Sequence, residues 1–514
     1  MAKSEPRREQ AFSVLLLLSV FVIATCGLVY ELVAGTLASY LLGDSVTQFS
    51  TIIGTYLFAM GIGSWLSQHI TRDLLATFVK IEILVGVVGG FSAALLFFLF
   101  DWVTHFRIPL YGLVLLVGML VGIEIPLLLR ILKDEFAFKD LVARVFAFDY
   151  VGALFAALLF PLLLVPHLGL IRTSLLFGLF NVGVALWLTL RFGATLPRLR
   201  LHQGGAILAF VTLLLGFAYG NTLQQLAEGN AYADTVIYAQ STPYQRLVLT
   251  RGQQDLRLYL NGNLQFSSRD EYRYHEALVH PGLAALPDAK RVLILGGGDG
   301  LAAREVLKYP NISEILLVDL DPAMTKLFSS NAMLTTINGN ALNDPKLKIT
   351  NADAFLWLKQ ESANLKDHFD FIIVDFPDPS NFSIGKLYTV TFYDLLQAVL
   401  APDGIMVIQS TSPFVARKSF WCIVTTLEEV GLVTAPYHAH VPSFGSWGFV
   451  LAGRRPFQPA THYPTGLRYL TASTFANMLV FPPDMARASV AVNRLDNQAL
   501  VHYFDEEWAD YGAH

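Results

Sequence analysis

Two hydrophobic patterns divide the chain near residue 220. Before it, apolar residues run on with few charges between them, over stretches of the about 17–25 residues that cross a bilayer core as a helix. Seven such segments are read, at roughly 12–33, 48–68, 79–100, 108–131, 144–165, 169–190 and 204–220. The first is not a cleavable signal peptide. Its apolar run is too long, it lacks a small-residue cleavage site, and further spans follow. After residue 220 the period shortens to two, in Thr235-Val-Ile-Tyr-Ala, Arg246-Leu-Val-Leu-Thr and Leu256-Arg-Leu-Tyr-Leu. Asn261-Gly262, ahead of Leu264-Gln265, is a hairpin signal, so a small antiparallel sheet is expected here.

From Arg291 the pattern changes again. Strand Val292–Leu295, a glycine-rich turn, helix Leu301–Lys308 and strand Ile315–Val318 read as a βαβ unit. A helical stretch near Ala354–Lys359, a third strand Phe371–Val374 and another at Gly404–Gln409 follow. Strands alternating with helices predict a doubly wound parallel sheet. The domains expected are 1–220, helical; 221–287, the small sheet; 288–455, the α/β part; and 456–514, a C-terminal extension.

Composition sharpens the division. Apolar residues make up 54% of the 514 and charged residues 15%, too apolar for a wholly soluble chain. Residues 1–220 carry 14 Lys and Arg against 12 Asp and Glu, and residues 221–514 carry 22 against 29. An acidic second half does not suggest nucleic acid, whose phosphates favour a basic face, and it is compatible with cationic substrates. Cys26 and Cys422 lack CxxC spacing and nearby histidines, so neither a disulfide framework nor a metal site is expected.

Basic residues are concentrated in alternate loops of the first half: Lys3, Arg7, Arg8; Arg72; Arg130, Lys133, Lys139, Arg144; and Arg191, Arg198, Arg200. The positive-inside bias puts the N-terminus in the cytoplasm. Seven spans then leave the second half outside. The last segment, Gly204–Gly220, is the shortest, and a re-entrant or interfacial placement of it would restore a cytoplasmic C-terminal half. Three acids, Glu31, Glu124 and Asp149, lie within or near the apolar runs. Carboxylates there suggest a cation pathway or site. The plainer reading has them near helix ends or paired with Arg130 or Arg144.

The candidate chemistry lies in the α/β part. Leu295-Gly-Gly-Gly-Asp-Gly-Leu301 follows a buried strand and opens a helix, and its glycines allow a tight turn and close approach to a ligand. It is not a full GxGxxG, because Leu301 takes the last position. Asp319 ends the next strand, about 20 residues on, where ribose hydroxyls are held in nucleoside-binding sheets. NAD remains open at this point. Asp299, inside the turn, repels a pyrophosphate or the carboxylate of S-adenosylmethionine and suits a donor with a free amine and no carboxylate. Asp375-Phe-Pro-Asp378-Pro follows the third strand at its ligand-binding end, where two carboxylates can hold a polycation and accept a proton. Alone, that motif would be read as a capped loop.

Tyr244-Gln245, Leu258–Gly262 with Gln265, Asp270–Glu276, Gly296–Gly300, Arg304–Lys308, Asp319-Leu-Asp321, Asp353 and Asp375–Asp378 occur in that order. Together they resemble the polyamine aminopropyltransferases, the spermidine synthase family, over about residues 235–450, and the fused first half resembles a membrane-bound bacterial branch. The resemblance implies a Rossmann-like, methyltransferase-type domain preceded by a small antiparallel sheet and fused to a multi-span helical membrane domain. It implies that Gln245, Asp319 and Asp353-Ala354 hold the donor and Asp299 its aminopropyl amine. Tyr274 and His275 would line the aminopropyl and acceptor site. Asp375 would take the proton, Asp378 would anchor the far ammonium, and Gln409 would be a polar acceptor contact. The co-substrate implied is decarboxylated S-adenosylmethionine, with no bound cofactor or metal, and the family suggests a homodimer.

The activity implied is aminopropyl transfer to a diamine, putrescine by default, giving spermidine and methylthioadenosine. The alternatives are an S-adenosylmethionine-dependent methyltransferase, and a membrane polyamine transporter or sensor with a degenerate synthase domain. The family's Tyr-Pro-Ser-Gly acceptor segment appears here as Val441-Pro-Ser-Phe-Gly-Ser-Trp-Gly-Phe449, without its tyrosine. Gly-Pro-Ala after the Asp-Pro motif is replaced by Asn381-Phe382-Ser383. The localisation expected is a multi-pass cell-membrane protein, with the synthase part cytoplasmic on substrate grounds.

Overall fold

The computed structural model describes residues 5–42, 45–103, 105–133, 138–191, 193, 196–220, 222–223, 232 and 234–512. Lys3 and residue 221, the expected start of the small-sheet domain, lie outside the described residues. The chain forms two compact units, residues 1–233 and 234–514.

The first unit is helical: α1 (Glu5–Leu42), α2 (Ser45–Ser67), α3 (Leu74–Trp102), α4 (Arg107–Leu132), α5 (Phe138–Leu159), α6 (Val165–Arg191) and α7 (Leu199–Ala218). Among the described residues, six stretches are long and apolar enough to cross a membrane. The expected segments 144–165 and 169–190 both fall in one of these, Lys139–Arg191, where the backbone leaves helical geometry at Gly169 with φ 71°. The expected last segment is one continuous 20-residue helix, α7. Small residues set the tightest crossing, between α2 and α4. A Cβ added at Gly63 would stand 2.0 Å from the Met119 carbonyl oxygen, and one at Gly122 2.2 Å from that of Met60. Outward faces are apolar, with Leu57, Phe58, Leu154, Leu162 and Leu208 exposed. Among the described residues Arg130 pairs with no acid; its guanidinium donates to the carbonyls of Ser67 (2.9 Å) and Ile70 (2.7 Å).

The second unit holds two sheets. Strands β1 (Thr235–Ser241), β2 (Arg246–Arg251), β3 (Leu256–Leu260) and β4 (Asn263–Ser267) form the antiparallel sheet in sequence order. Asn261 and Gly262 turn its last hairpin at φ 50° and 82°, the left-handed pair a two-residue turn requires. The sheet's buried Phe266 meets Phe328, ring centroids 6.0 Å apart, and so joins the main core.

The large sheet has the order β10-β11-β9-β8-β5-β6-β7. Its strands are β5 (Arg291–Gly296), β6 (Glu314–Asp319), β7 (Leu347–Asn351), β8 (Phe369–Asp375), β9 (Leu400–Gln409), β10 (Val433–Val441) and β11 (Gly445–Gly453). The expected all-parallel sheet is thereby corrected. Strands β5 to β9 run parallel, but β11 pairs antiparallel with β9, and β10 with β11. Strand β7 went unpredicted because Leu-Lys-Ile-Thr-Asn is short and half-buried, as suits a sheet edge. The central strands are apolar on both faces: Ile372, Ile373 and Val374 of β8 are wholly buried. The sheet order reverses between β5 and β8, and at such a switch point a crevice opens at the carboxyl ends of the strands.

Candidate active site

Gly296 closes β5 directly opposite Asp375 at the end of β8. The backbones meet so closely that a Cβ on Gly296 would lie 2.2 Å from the Asp375 carbonyl oxygen. Gly296, Gly297 and Gly300 all take positive φ, so the chain doubles back before entering α9 (Leu301–Val306). Asp319, at the end of β6, accepts the Gly298 amide (3.1 Å) and the Asp321 amide (2.9 Å), tying the turn to the next strand. Asp299 is fixed by its own helix entry, where its Oδ1 accepts the Leu301 amide at 2.9 Å.

Helix α8 (Glu271–Leu283) brings Tyr274 and His275 to the same crevice. The Tyr274 hydroxyl donates to Asp375 Oδ1 at 2.6 Å, and a Cβ added at Gly297 would stand 3.4 Å from Asp375 Oδ2. His275 lies against Glu271 (2.9 Å), which is itself forked by Arg304 through two bonds of 2.9 Å. Three residues beyond Asp375, Asp378 is approached by the Gln409 amide at 3.4 Å. Gln409 is otherwise committed. Its Nε2 donates to the Phe376 carbonyl (2.6 Å) and the Tyr388 hydroxyl (3.2 Å), while its Oε1 accepts from the Thr411 amide and Trp447 Nε1, each at 3.1 Å.

The remaining expected donor residues sit further along the sheet. Gln245, in the β1–β2 turn, reaches Asp321 (3.1 Å) beside Thr242 (2.8 Å) and so bends the small sheet toward the end of β6. Asp353 follows β7 and caps the helix that begins at Ala354, accepting the Phe355 and Leu356 amides. Its other oxygen takes Lys386 at 2.7 Å.

The electrostatics separate these acids. Burial pushes the Asp375 carboxyl up to about 6, with the Asp299 charge adding to it and His275 and the Tyr274 hydrogen bond working against it. Asp378 is pushed up to about 7, again by burial, and Asp319 to about 6. Burial also raises Asp299, against His275 and the Leu301 amide. Glu271 behaves in the opposite way. Burial opposes its charge, yet His275 and Arg304 hold it down to about 2. A base near neutrality, beside a carboxylate-bearing glycine turn, can hold an ammonium and take a proton from it.

Residues 271–458 match the spermine/spermidine synthase domain family. The chain is 52% identical to the polyamine aminopropyltransferase of Leptospira interrogans, across 96% of this chain and 98% of that one. The chain belongs to the polyamine aminopropyltransferase family. Polyamine aminopropyltransferase 2 of Ralstonia nicotianae is 56% identical over the same shares of both chains, so the likeness runs through the helical unit as well as the α/β unit. The solved spermidine synthase of Thermotoga maritima is 25% identical and covers 48% of this chain and 85% of its own, with a TM-score of 0.44.

This aminopropyltransferase places around its crevice several residues that sequence reasoning did not assign. Phe444 and Phe449 lie 6.1 and 5.3 Å from the Tyr274 ring, and Trp447 packs on Phe444 at 5.2 Å. All three belong to the segment that lacks the family's tyrosine, so that segment supplies an aromatic wall. Thr411 holds φ 51°, an outlier for a β-branched residue, two positions after Gln409. Lys386 and Tyr388 were also missed, and Arg304, named in the sequence only as part of the family motif, proves to be the partner of Glu271. Each acts by meeting a residue more than 10 positions away in sequence, which no local pattern announces.

Proposed function

We propose that this enzyme transfers the aminopropyl group of decarboxylated S-adenosylmethionine to putrescine, giving spermidine and methylthioadenosine. The observation that carries the reading is the pairing of Asp375 with the glycine turn that bears Asp299. In this reading Asp299 takes the donor's amine, and its charge repels the carboxylate of ordinary S-adenosylmethionine. Asp319 faces the ribose hydroxyls, with Gln245 ordering the wall through Asp321. Asp353 and Ala354 border the nucleoside, with Lys386 as counter-charge. Asp378 anchors the acceptor's far ammonium, and Gln409 positions Asp378.

The reaction needs an unprotonated amine. Asp375, poised near 6 and held by Tyr274, accepts a proton from the attacking nitrogen. The nitrogen then attacks the methylene beside the sulfonium. The C–N bond forms as the C–S bond breaks, and the sulfur leaves with the bonding pair as neutral methylthioadenosine. Tyr274, His275 and the Phe444–Trp447 wall align the two substrates.

The helical unit is read as a bilayer anchor, from its six long apolar stretches and exposed apolar faces. The α/β unit is placed in the cytoplasm, where its donor is made. Protease treatment of sealed right-side-out and inverted vesicles tests that side.

The decisive test of the reaction is product analysis with purified enzyme, decarboxylated S-adenosylmethionine and a panel of diamines and polyamines. Methylthioadenosine and spermidine should appear in equal amounts with putrescine. Methylated product from S-adenosylmethionine, or no methylthioadenosine with any amine, would reject the reading.

A further inference from the structure

The helical unit contains a polar site of its own. Glu31 on α1, Glu124 on α4 and Asp149 on α5 line one cavity of about 120 Å³. Its remaining wall is largely apolar, including Val20 and Leu128, with Tyr56 from α2. That volume suits several waters or a short unbranched chain.

Glu124 is the informative member. It is 1% exposed, and neither of its carboxylate oxygens has a hydrogen-bond partner among the described residues. Two nearby polar groups are spent elsewhere: Arg130 binds the Ser67 and Ile70 carbonyls, and the Tyr56 hydroxyl donates to the Gly27 carbonyl at 2.9 Å. The buried Tyr30 hydroxyl on α1 has, like Glu124, no partner among the described residues. A buried carboxylate without donors is costly, and a cation bound in the cavity would offset that cost. Glu82 on α3, which sequence reasoning passed over, is a further fully buried carboxylate without a partner among the described residues.

The wall chemistry selects among cations. A bare metal ion needs several oxygens converging on one point. Here the acids come from three helices with aliphatic surface between them. Ammonium groups joined by methylenes satisfy both features at once. We propose that this cavity is a second amine-binding site, taking a linear diamine or polyamine with one ammonium at Glu124, another toward Glu31 or Asp149, and its methylenes on the apolar wall. The cavity and the orphaned carboxylate stand on the helical unit alone. The choice of a polyamine among organic cations rests on the aminopropyl-transfer reading.

The experiment is equilibrium binding of radiolabelled putrescine to the full chain in lipid nanodiscs, without donor. A D375N/D378N variant, whose synthase crevice is disabled, should still bind one equivalent. Adding E31Q/E124Q should weaken that binding at least ten-fold. D149N alone, at a partly exposed position, should weaken it several-fold, which guards against a folding defect in the double variant. Unchanged binding in both acid variants, no binding in D375N/D378N, or equal displacement by sodium chloride at the putrescine concentration overturns the proposal. A wild-type product assay run alongside keeps the two readings apart. Product without helical-unit binding sinks only this inference, and binding without product sinks only the aminopropyl reading.

Discussion

Buried carboxylates are treated differently in the two units of this chain. In the α/β unit most of them are saturated. Glu271 holds Arg304 and His275, Glu305 holds His280 at 2.7 Å and Lys308, and Glu276 accepts three consecutive amides, Arg468, Tyr469 and Leu470. The half-buried Glu507, from the C-terminal helix, caps the helix Arg417–Glu429 through the Lys418 and Ser419 amides. In the helical unit Glu82 and Glu124 have no donor among the described residues. The lesson is that saturation distinguishes architecture from chemistry. An acid whose lone pairs are filled by its own chain holds elements together. One left open within a cavity or crevice has capacity for something the chain does not contain. Asp375, with a single tyrosine on one oxygen, falls on the open side.

The comparison can be broken by exchanging charge for amide on each side of it. The largest effect is expected at the open acid. D375N should lower kcat by about 10²–10⁴-fold while leaving thermal unfolding unchanged or slightly improved, because a buried charge is removed. Steady-state kinetics beside calorimetry check it, and a large loss of stability with retained turnover would reverse the assignment. At the saturated acid the pattern should invert. E271Q leaves Arg304 short of one carboxylate and should cost about 3 kcal/mol, seen as a lower denaturant midpoint.

A third prediction uses pH. Asp375, Asp319 and Asp378 carry folded-state pKa values of about 6, 6 and 7, above the unfolded value of about 3.9. The folded state therefore binds their protons more tightly. Stability from these groups is greatest below about pH 4 and is lost as pH rises toward 7. Glu271 and Glu305, held at about 2, act in a separate window, stabilising above about pH 4 and losing that contribution as pH falls to 2. Ligand-free enzyme should therefore melt at a lower temperature at pH 8 than at pH 5.5, and saturating putrescine should restore much of the difference. A flat profile would refute the electrostatic account. Turnover should show the opposite slope, rising through about pH 6 as Asp375 becomes a carboxylate. The smallest effect is expected from Y274F. Losing one hydrogen bond to a charged group should cost about 1.5–3 kcal/mol of carboxylate stabilisation at most, and should move the acid limb of the rate profile to higher pH. An unmoved limb would show that Tyr274 does not hold the base.

The turn and the acid pair are legible in the amino-acid sequence because each is a local signal: glycines at Gly296–Gly300 after a buried strand, and carboxylates at Asp375 and Asp378. The Asn261-Gly262 hairpin is legible for the same reason. The saturating partners are not. Lys386 reaches Asp353 across 33 positions, and Trp447 reaches Gln409 across 38. Burial of Glu82 is invisible too, since Lys80 stands two residues before it and the pair looks like surface. The antiparallel edge formed by β10 and β11 escapes prediction because a hairpin added to a parallel sheet leaves no break in the alternation of strands and helices.

The seam between Gly296 and Asp375 bears on how this enzyme can diverge. No side chain fits there, so the glycine turn cannot shift without carrying Asp375 with it. On the proposed mechanism, drift at that end would be penalised twice, in recognition and in chemistry. The β10–β11 hairpin has no such seam at the turn, its aromatic wall resting on ring packing and on the Trp447–Gln409 hydrogen bond. On the proposed reading, descendants of this sequence would therefore explore new acceptors while their donor stayed the same.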